Sequence, residues 1–221
     1  MTGLVTKGES RRDRRKQEIV ALAAGHFLRY GFSDTNLDLI VKDCSCSKAT
    51  LYTYFGNKEG LFEAVIYQVI STDSAFSIDE RLPLVEALES YAAIALAVMT
   101  APQTVALARL VIAEAARSPD LAASFERATH KRHLLALTKY VESRQSAGEL
   151  VPCDPAAAAR DLTGLLTQTD PLPQLLGVGR QISPKDCRRR AAVAVSHFLK
   201  IYGVPPTGAQ DCMSGVSGSA A

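Results

Sequence analysis

The sequence has no apolar run near the roughly 20 residues that cross a bilayer; its longest stretches, such as Tyr91 to Met99, fall far short. No charged-then-apolar segment resembling a signal peptide opens it, so a soluble, cytoplasmic protein is expected. The five cysteines, Cys44, Cys46, Cys153, Cys187 and Cys212, are odd in number and lack the CxxC spacing of a zinc site. A reducing compartment further disfavours disulfides, so small packing thiols are expected, with a redox pair at Cys44 and Cys46 as the alternative. No alternation of apolar and polar residues is long enough for a sheet. No HExxH, no paired carboxylate–histidine motif and no glycine-rich phosphate loop appears. Of His26, His130, His133 and His197, His26 lies on an apolar helix face, where a core histidine is the usual explanation. No enzyme, metal or cofactor is therefore expected.

What the chain does have is 221 residues, 47% of them hydrophobic, at a mean hydropathy of +0.04. That is enough apolar material for a buried core. The net charge of +2 is unevenly spread: residues 1 to 16 carry six basic and two acidic groups, the first 60 residues net +3, and the remainder −1. A small phosphate-facing module on a near-neutral body fits this distribution, and so does a solvated basic arm.

The periodicity is helical almost throughout, which predicts an all-α protein of about nine helices. Apolar residues at three- and four-residue steps predict a first helix over 11–30 that stops at Gly31. Asn36 and Ser47 are placed to cap two short helices, and Asn57 a fourth that carries Leu61, Phe62, Val65, Ile66 and Val69 on one stripe. Farther on, Ser118-Pro119, Asp154-Pro155 and Ser183-Pro184 pair a capping oxygen with a proline whose missing N–H costs nothing in a first turn. With Pro83 and Pro102, these predict helices near 83–99, 102–117, 119–147, 155–170 and 184–202, with Gly148 and Gly203 as stops. Asp170 to Ile182 reads as an irregular connection, and the residues from Val204 onward as a disordered tail.

Residues 36 to 55 have the layout of a helix-turn-helix, two short helices joined by the polar turn Ser45-Cys46-Ser47. The second helix is dense in groups that reach phosphate or base edges, Ser47, Lys48, Thr50, Tyr52, Thr53 and Tyr54, with Leu51 as its inward anchor. Lys58 follows in a first helical turn, where free N–H groups favour an anion.

The stretches Phe27-Leu28-Arg29-Tyr30-Gly31-Phe32, Thr35-Asn36-Leu37, Leu39-Ile40-Val41 and Ser47 through Leu61, including the run TLYTYFGNKEGLF, resemble the N-terminal signature of the TetR family of transcriptional regulators. The resemblance implies that Lys48, Ala49, Thr53 and Tyr54 face bases in the major groove while Asn36, Thr50, Tyr52 and Lys58 hold phosphates. Three positions depart from the family pattern. Ser45 stands where a glycine is usual, at a cost of about 1 kcal/mol if a positive φ is needed. Cys44 and Cys46 replace the common Ala and Val. Asp38 sits where relatives are often basic, so it points aside, accepts from a cytosine amine, or narrows the operator repertoire.

Beyond residue 72 the chain is similar to the regulatory domains of efflux repressors of the AcrR type, through Arg109 to Ala115, Ser118 to Leu121, and Gly148-Glu149-Leu150 before Asp154-Pro155. This implies an effector pocket among the middle helices and a homodimer made by the helices near 155–170 and 184–202. The pocket candidates are Tyr91, Met99, Arg109, Glu114, Phe125, His130 and Gln168, and few charges on the inner faces suggest an apolar effector. The expected organisation is a DNA-binding domain with a basic arm over 1–72, a ligand-binding and dimerisation domain over 73–203, and a tail over 204–221. The expected function is a repressor of operator DNA, released by a small molecule through the fourth helix. The competing reading is a protein- or membrane-surface module using the basic arm.

Overall fold

The computed structural model describes residues 11–70, 77–168 and 172–205, and these are helical almost throughout. Four helices come first: α1 (Arg11–Asp34), α2 (Leu37–Asp43), α3 (Lys48–Phe55) and α4 (Lys58–Ile70). Then follow α5 (Leu84–Met99), α6 (Pro102–Glu114), α7 (Pro119–Glu126), a π turn (Arg127–Lys131), α8 (Arg132–Ser146), α9 (Pro155–Thr167), α10 (Leu172–Leu176) and α11 (Pro184–Tyr202). Extended pairing among the described residues is limited to one isolated bridge, Leu150 to Gly203. No single described helix is long and apolar enough to cross a membrane; α5 and α6 pass that test only as a pair, bent by 57°.

Most local signals act as capping chemistry predicts, although Ser118, expected to cap the helix at Pro119, makes no side-chain cap bond. Asn36 Oδ1 accepts from the Asp38 N–H, Ser47 Oγ from Thr50 N–H and Asn57 Oδ1 from Gly60 N–H, each satisfying a donor that the first helical turn leaves open. At Gly31 the chain turns through φ 81 and ψ 172 before one more helical turn, a conformation that only glycine adopts cheaply.

Two cores hold the molecule. The first joins α1, α2, α3 and α4 to Leu107 and Val111 of α6, Leu121 of α7 and Ala128 of the π turn. At its centre the Phe27 and Phe32 rings meet Phe62 edge-on at 5.0 and 5.3 Å. The second core joins α5, α8, α9 and α11 around Tyr91, Leu162, Val195 and Phe198. The expected boundary at 72/73 and the first ten residues of the basic arm lie outside the described residues, as do 206–221 of the expected tail.

Several expectations are corrected. The helix expected over 119–147 ends at Ser146 and is divided into α7 and α8 by the π turn at Arg127–Lys131. The helix expected over 102–117 ends at Glu114, whose carbonyl accepts from both Arg117 and Ser118 N–H. That expected over 155–170 ends at Thr167. Within Asp170–Ile182, read as irregular, Leu172–Leu176 forms a helical turn. Its proline lies in the first turn, and Gly177, at φ 79, closes it by letting Val178 and Gly179 N–H reach the Pro173 carbonyl. Gly203 follows α11 in extended rather than left-handed conformation, with its N–H on Leu199 O.

Candidate DNA interface and effector cavity

The α2–turn–α3 unit stands on the first core through Ile40, Leu51 and Phe55. That leaves the opposite face of α3 open. Lys48, Ala49, Tyr52 and Thr53 are exposed, and Thr50 and Tyr54 are half-buried. Several polar groups there are already engaged. Thr53 Oγ1 donates to Ala49 O at 2.7 Å, the Ser47 and Thr50 hydroxyls bond each other at 2.8 Å, and Lys48 Nζ lies 2.6 Å from Asp38 Oδ1. That carboxylate raises the Lys48 pKa. Lys58 Nζ donates to Ser33 O at 2.9 Å and sits 4.9 Å from the Phe32 ring centre, and burial lowers its pKa. Asn36 is exposed and caps α2.

The basic residues at the start of α1 lie against this unit. Arg12 stands 5.4 Å over the Tyr54 ring and Lys16 5.6 Å over Phe55, both cation–π geometries. The Arg15 guanidinium donates to Cys44 O and, at 3.1 Å, to Ser45 O. Those two carbonyls end α2, where a helix presents partial negative charge. Part of the basic arm is therefore a brace for the turn.

Ser45 has φ 49, so the turn does require left-handed backbone. Ser45→Gly is expected to stabilise the protein by up to about 1 kcal/mol, read as a melting temperature raised by up to about 2–4 °C. The same reversal of chain direction places the Cys44 and Cys46 Cα atoms 5.4 Å apart, inside the range a disulfide spans. The two sulfurs lie in contact with each other there, closer than the separate packing thiols expected; Cys153 and Cys187 are free.

Between the two cores lies a cavity of about 280 Å³. Its wall takes Ile70 from the end of α4, Ala95, Leu96 and Met99 from α5, Thr104 and Ala108 from α6, Phe125 from α7, His130 and His133 from the π turn and α8, Leu166 from α9, Leu175 from α10, and Arg190 from α11. The described lining is apolar apart from threonines, one glutamine, the two histidines and the arginine, and no carboxylate is among the described lining residues. Thr104 Oγ1 is buried without a hydrogen-bond partner.

Three of the sequence candidates, Met99, Phe125 and His130, line this cavity. The other four stand elsewhere. Tyr91 is buried behind the wall with its hydroxyl 2.8 Å from His133 Nδ1. Arg109 donates to the Gln174 and Leu175 carbonyls that end α10. Glu114 accepts from Ser33 Oγ at 2.7 Å, tying α6 to the segment after Gly31. Gln168 is exposed at the end of α9. Sequence reasoning missed His133 as a wall residue, although its spacing of three from His130 puts both on one helix face.

His133 fixes the polarity of the cavity floor. The Thr163 hydroxyl donates to Ala159 O at 2.8 Å, so its oxygen accepts from His133 Nε2–H at 3.1 Å. Nδ1 then accepts from the Tyr91 hydroxyl. Burial lowers the His133 pKa to about 4, with His130 adding to the shift, and burial raises that of Tyr91. The imidazole is thus neutral in the folded state. An unfolded histidine titrates near 6.5, so the unfolded chain binds the extra proton between about 6.5 and 4. Stability is complete above 6.5 and falls as the pH drops, by about 3 kcal/mol below 4. Denaturant titrations at pH 7.5 and 4.5 are expected to differ by less in His133→Gln than in the parent chain; equal pH dependence in the two proteins refutes the assignment.

Comparison with known proteins follows this geometry. Residues 19–65 match the family model for bacterial regulatory proteins of the tetR family. Residues 86–204 match the C-terminal domain of AefR-like transcriptional repressors, where sequence analysis had likened this part to the AcrR type. Among curated proteins, the chain is 26% identical over 146 residues to the uncharacterized HTH-type transcriptional regulator YhgD of Bacillus subtilis (strain 168), covering 66% of this chain and 76% of that protein. Among solved structures, a TetR-family regulator from Mesorhizobium loti MAFF303099 superposes with a TM-score of 0.73 at 27% identity, covering 89% of this chain and all of that one. The flavonoid-responsive regulator FrrA gives a TM-score of 0.73 at 29% identity over 86% of this chain and 97% of its own.

Proposed function

Because the chain belongs to the TetR family of bacterial transcriptional regulators and carries an AefR-like C-terminal domain, we propose that a ligand in the cavity between the two cores controls the grip of α3 on operator DNA. The protein is a sequence-specific DNA-binding repressor of the ligand-responsive kind. In the reading proposed here, α3 enters the major groove with Lys48, Ala49, Thr53 and Tyr54 toward the bases. Asn36, Ser47, Thr50, Tyr52 and Lys58 hold the backbone. The division of labour follows the organisation expected from sequence, with residues 1–72 reading DNA and 73–203 sensing and pairing. The protein acts in the cytoplasm and has no catalytic role.

The observation that carries this reading is the double membership of α4. Leu61, Phe62 and Val65 belong to the core on which α3 stands, and Ile70 at the other end is part of the cavity wall. A ligand that pushes on Ile70 acts on the platform of the recognition helix. Coupling of 1–3 kcal/mol, a factor of about 5–150 in affinity, is enough for a switch.

The wall selects the effector class. The largely apolar described lining, with threonine hydroxyls and His130 as its polar groups, favours a neutral molecule with a largely apolar body. Planar phenols of the kind that the name of FrrA points to are the first compounds to try. The test is operator binding by fluorescence anisotropy, on the DNA upstream of the protein's own gene, with and without such compounds. An effector is expected to weaken binding by about 5–150-fold in the parent chain and to have no effect in Ala108→Phe, which fills the cavity. An equal response in both refutes the cavity as the effector site.

Half-site recognition requires two copies, and the homodimer is assigned to α9 and α11. Much of the apolar face of these two helices is spent inside one chain: Leu162, Leu166, Ala191, Val195 and Phe198 are all 2% exposed or less. Among the exposed residues of α11, Val193, His197 and Ile201 form a stripe at four-residue steps between charged neighbours, with Gly164 of α9 open to close approach. Such an apolar stripe on a charged helix is suited to a self-complementary contact across a two-fold axis.

A further inference from the structure

The acid on the DNA-facing surface is the feature that the proposed function leaves unused. Asp38 lies in the first turn of α2 and Lys48 begins α3. Their side chains are 56% and 59% exposed, yet Oδ1 and Nζ meet at 2.6 Å across the turn. A carboxylate set toward a polyanion repels it, and one that merely orients a lysine weakens the charge that the lysine brings. Its position is useful if the pair reads a base pair together.

The donor and acceptor inventory supports that use. An ammonium has three protons, and after serving Asp38 it keeps two; a carboxylate with one oxygen engaged keeps a full acceptor. Across the major groove a G·C pair presents two adjacent acceptors, guanine N7 and O6, and then a donor, the cytosine amine. An A·T pair interposes the adenine amine between its two acceptors and ends in a methyl group. An ammonium astride N7 and its neighbour therefore meets a second acceptor at guanine and a competing donor at adenine. The neighbouring hydroxyls are less suited to this task, because those of Ser47, Thr50 and Thr53 are already engaged locally.

Resting on the placement of α3 in the major groove, we infer that Asp38 and Lys48 form one reading unit that selects a G·C base pair in each half-site. Lys48 Nζ donates to guanine N7 and O6, and Asp38 accepts from the cytosine amine. Asp38 is then a specificity-determining residue, and its negative charge is offset at the contact by the ion pair it already makes.

The experiment is selection of duplexes from a randomised pool by the full-length parent chain and by Asp38→Ala, Asp38→Asn, Lys48→Ala and Thr53→Ala, followed by affinity measurements on the selected sites. The parent chain is expected to fix one G·C pair at equivalent places in both half-sites. Asp38→Ala, which keeps the Lys48 contact to guanine but loses the acceptor for the cytosine amine, is expected to weaken the preference at that pair and to bind the parent site about 5–150-fold more weakly per half-site. Asp38→Asn, which gains a donor, is expected to shift the preference there toward A·T, because an amide matches adenine N6 and N7. Should Asp38→Ala bind every duplex more tightly by one common factor with preferences unchanged, the acid only repels phosphates and the inference fails alone. Should Lys48→Ala and Thr53→Ala also leave the selected sequences unchanged, the groove placement of α3 fails with it.

Discussion

A chain carrying Val193→Glu together with Ile201→Glu is expected to be monomeric and to bind its operator about 100–10,000-fold more weakly than the parent. The size follows from avidity: once one half-site is bound, a linked second copy binds at an effective concentration that raises affinity by that factor without new contacts. Both side chains are more than half exposed on α11, so the charges do not disturb the intramolecular core formed by the opposite face of the helix. Two carboxylates per chain, brought against two more by the two-fold axis, must give up water in a largely apolar seam and repel one another across it. Light scattering reports the mass and anisotropy the affinity. A dimer of unchanged affinity refutes the assignment of this face, and a dimer with lost affinity shows that the damage lies elsewhere.

The second large effect is on stability. Phe62→Ala is expected to cost about 3–5 kcal/mol, because Phe62 is fully buried and meets both Phe27 and Phe32 edge-on. The cost falls on the core that carries α3, so operator binding should be lost at a lower temperature than in the parent chain. Hydrogen exchange should locate the loosening. Amides of α1 and α4 are expected to lose protection, whereas those of α5 and α11, in the second core around Tyr91 and Phe198, keep more of theirs. Uniform loss across both cores means that the two unfold as one, and a cost below about 1 kcal/mol means that the ring is not the keystone that its burial indicates.

The sequence was most legible where one residue decides the local structure. Asn36, Ser47 and Asn57 cap the helices assigned to them, and Pro102, Pro119, Pro155 and Pro184 each sit in a first turn. The left-handed turn at Ser45 was legible as a condition, because a serine in a position usually filled by glycine announces its own cost. The π turn has no comparable local signature: Arg127 to Lys131 reads as ordinary helix, and the turn lies against α4, which is remote in sequence. The cavity was less legible for the same reason. Met99, Phe125 and His130 were named on side-chain type and do line it, but Arg109 and Glu114, equally plausible by type, are drawn off to α10 and to Ser33. The α11 face shows a different limit. Helical periodicity identifies an apolar stripe, but it cannot say whether the stripe is buried within one chain or between two.

The composition of the first core has one more consequence. Leu107, Val111, Leu121 and Ala128 close over the same cluster as Phe27, Phe32 and Phe62, so the reader does not own the whole of its hydrophobic interior. An excised fragment ending near residue 72 would be left with bare greasy surface on α1 and α4, prone to clumping rather than to folding as a portable module. Grafting this specificity onto another sensor therefore means carrying α6 and α7 along with it.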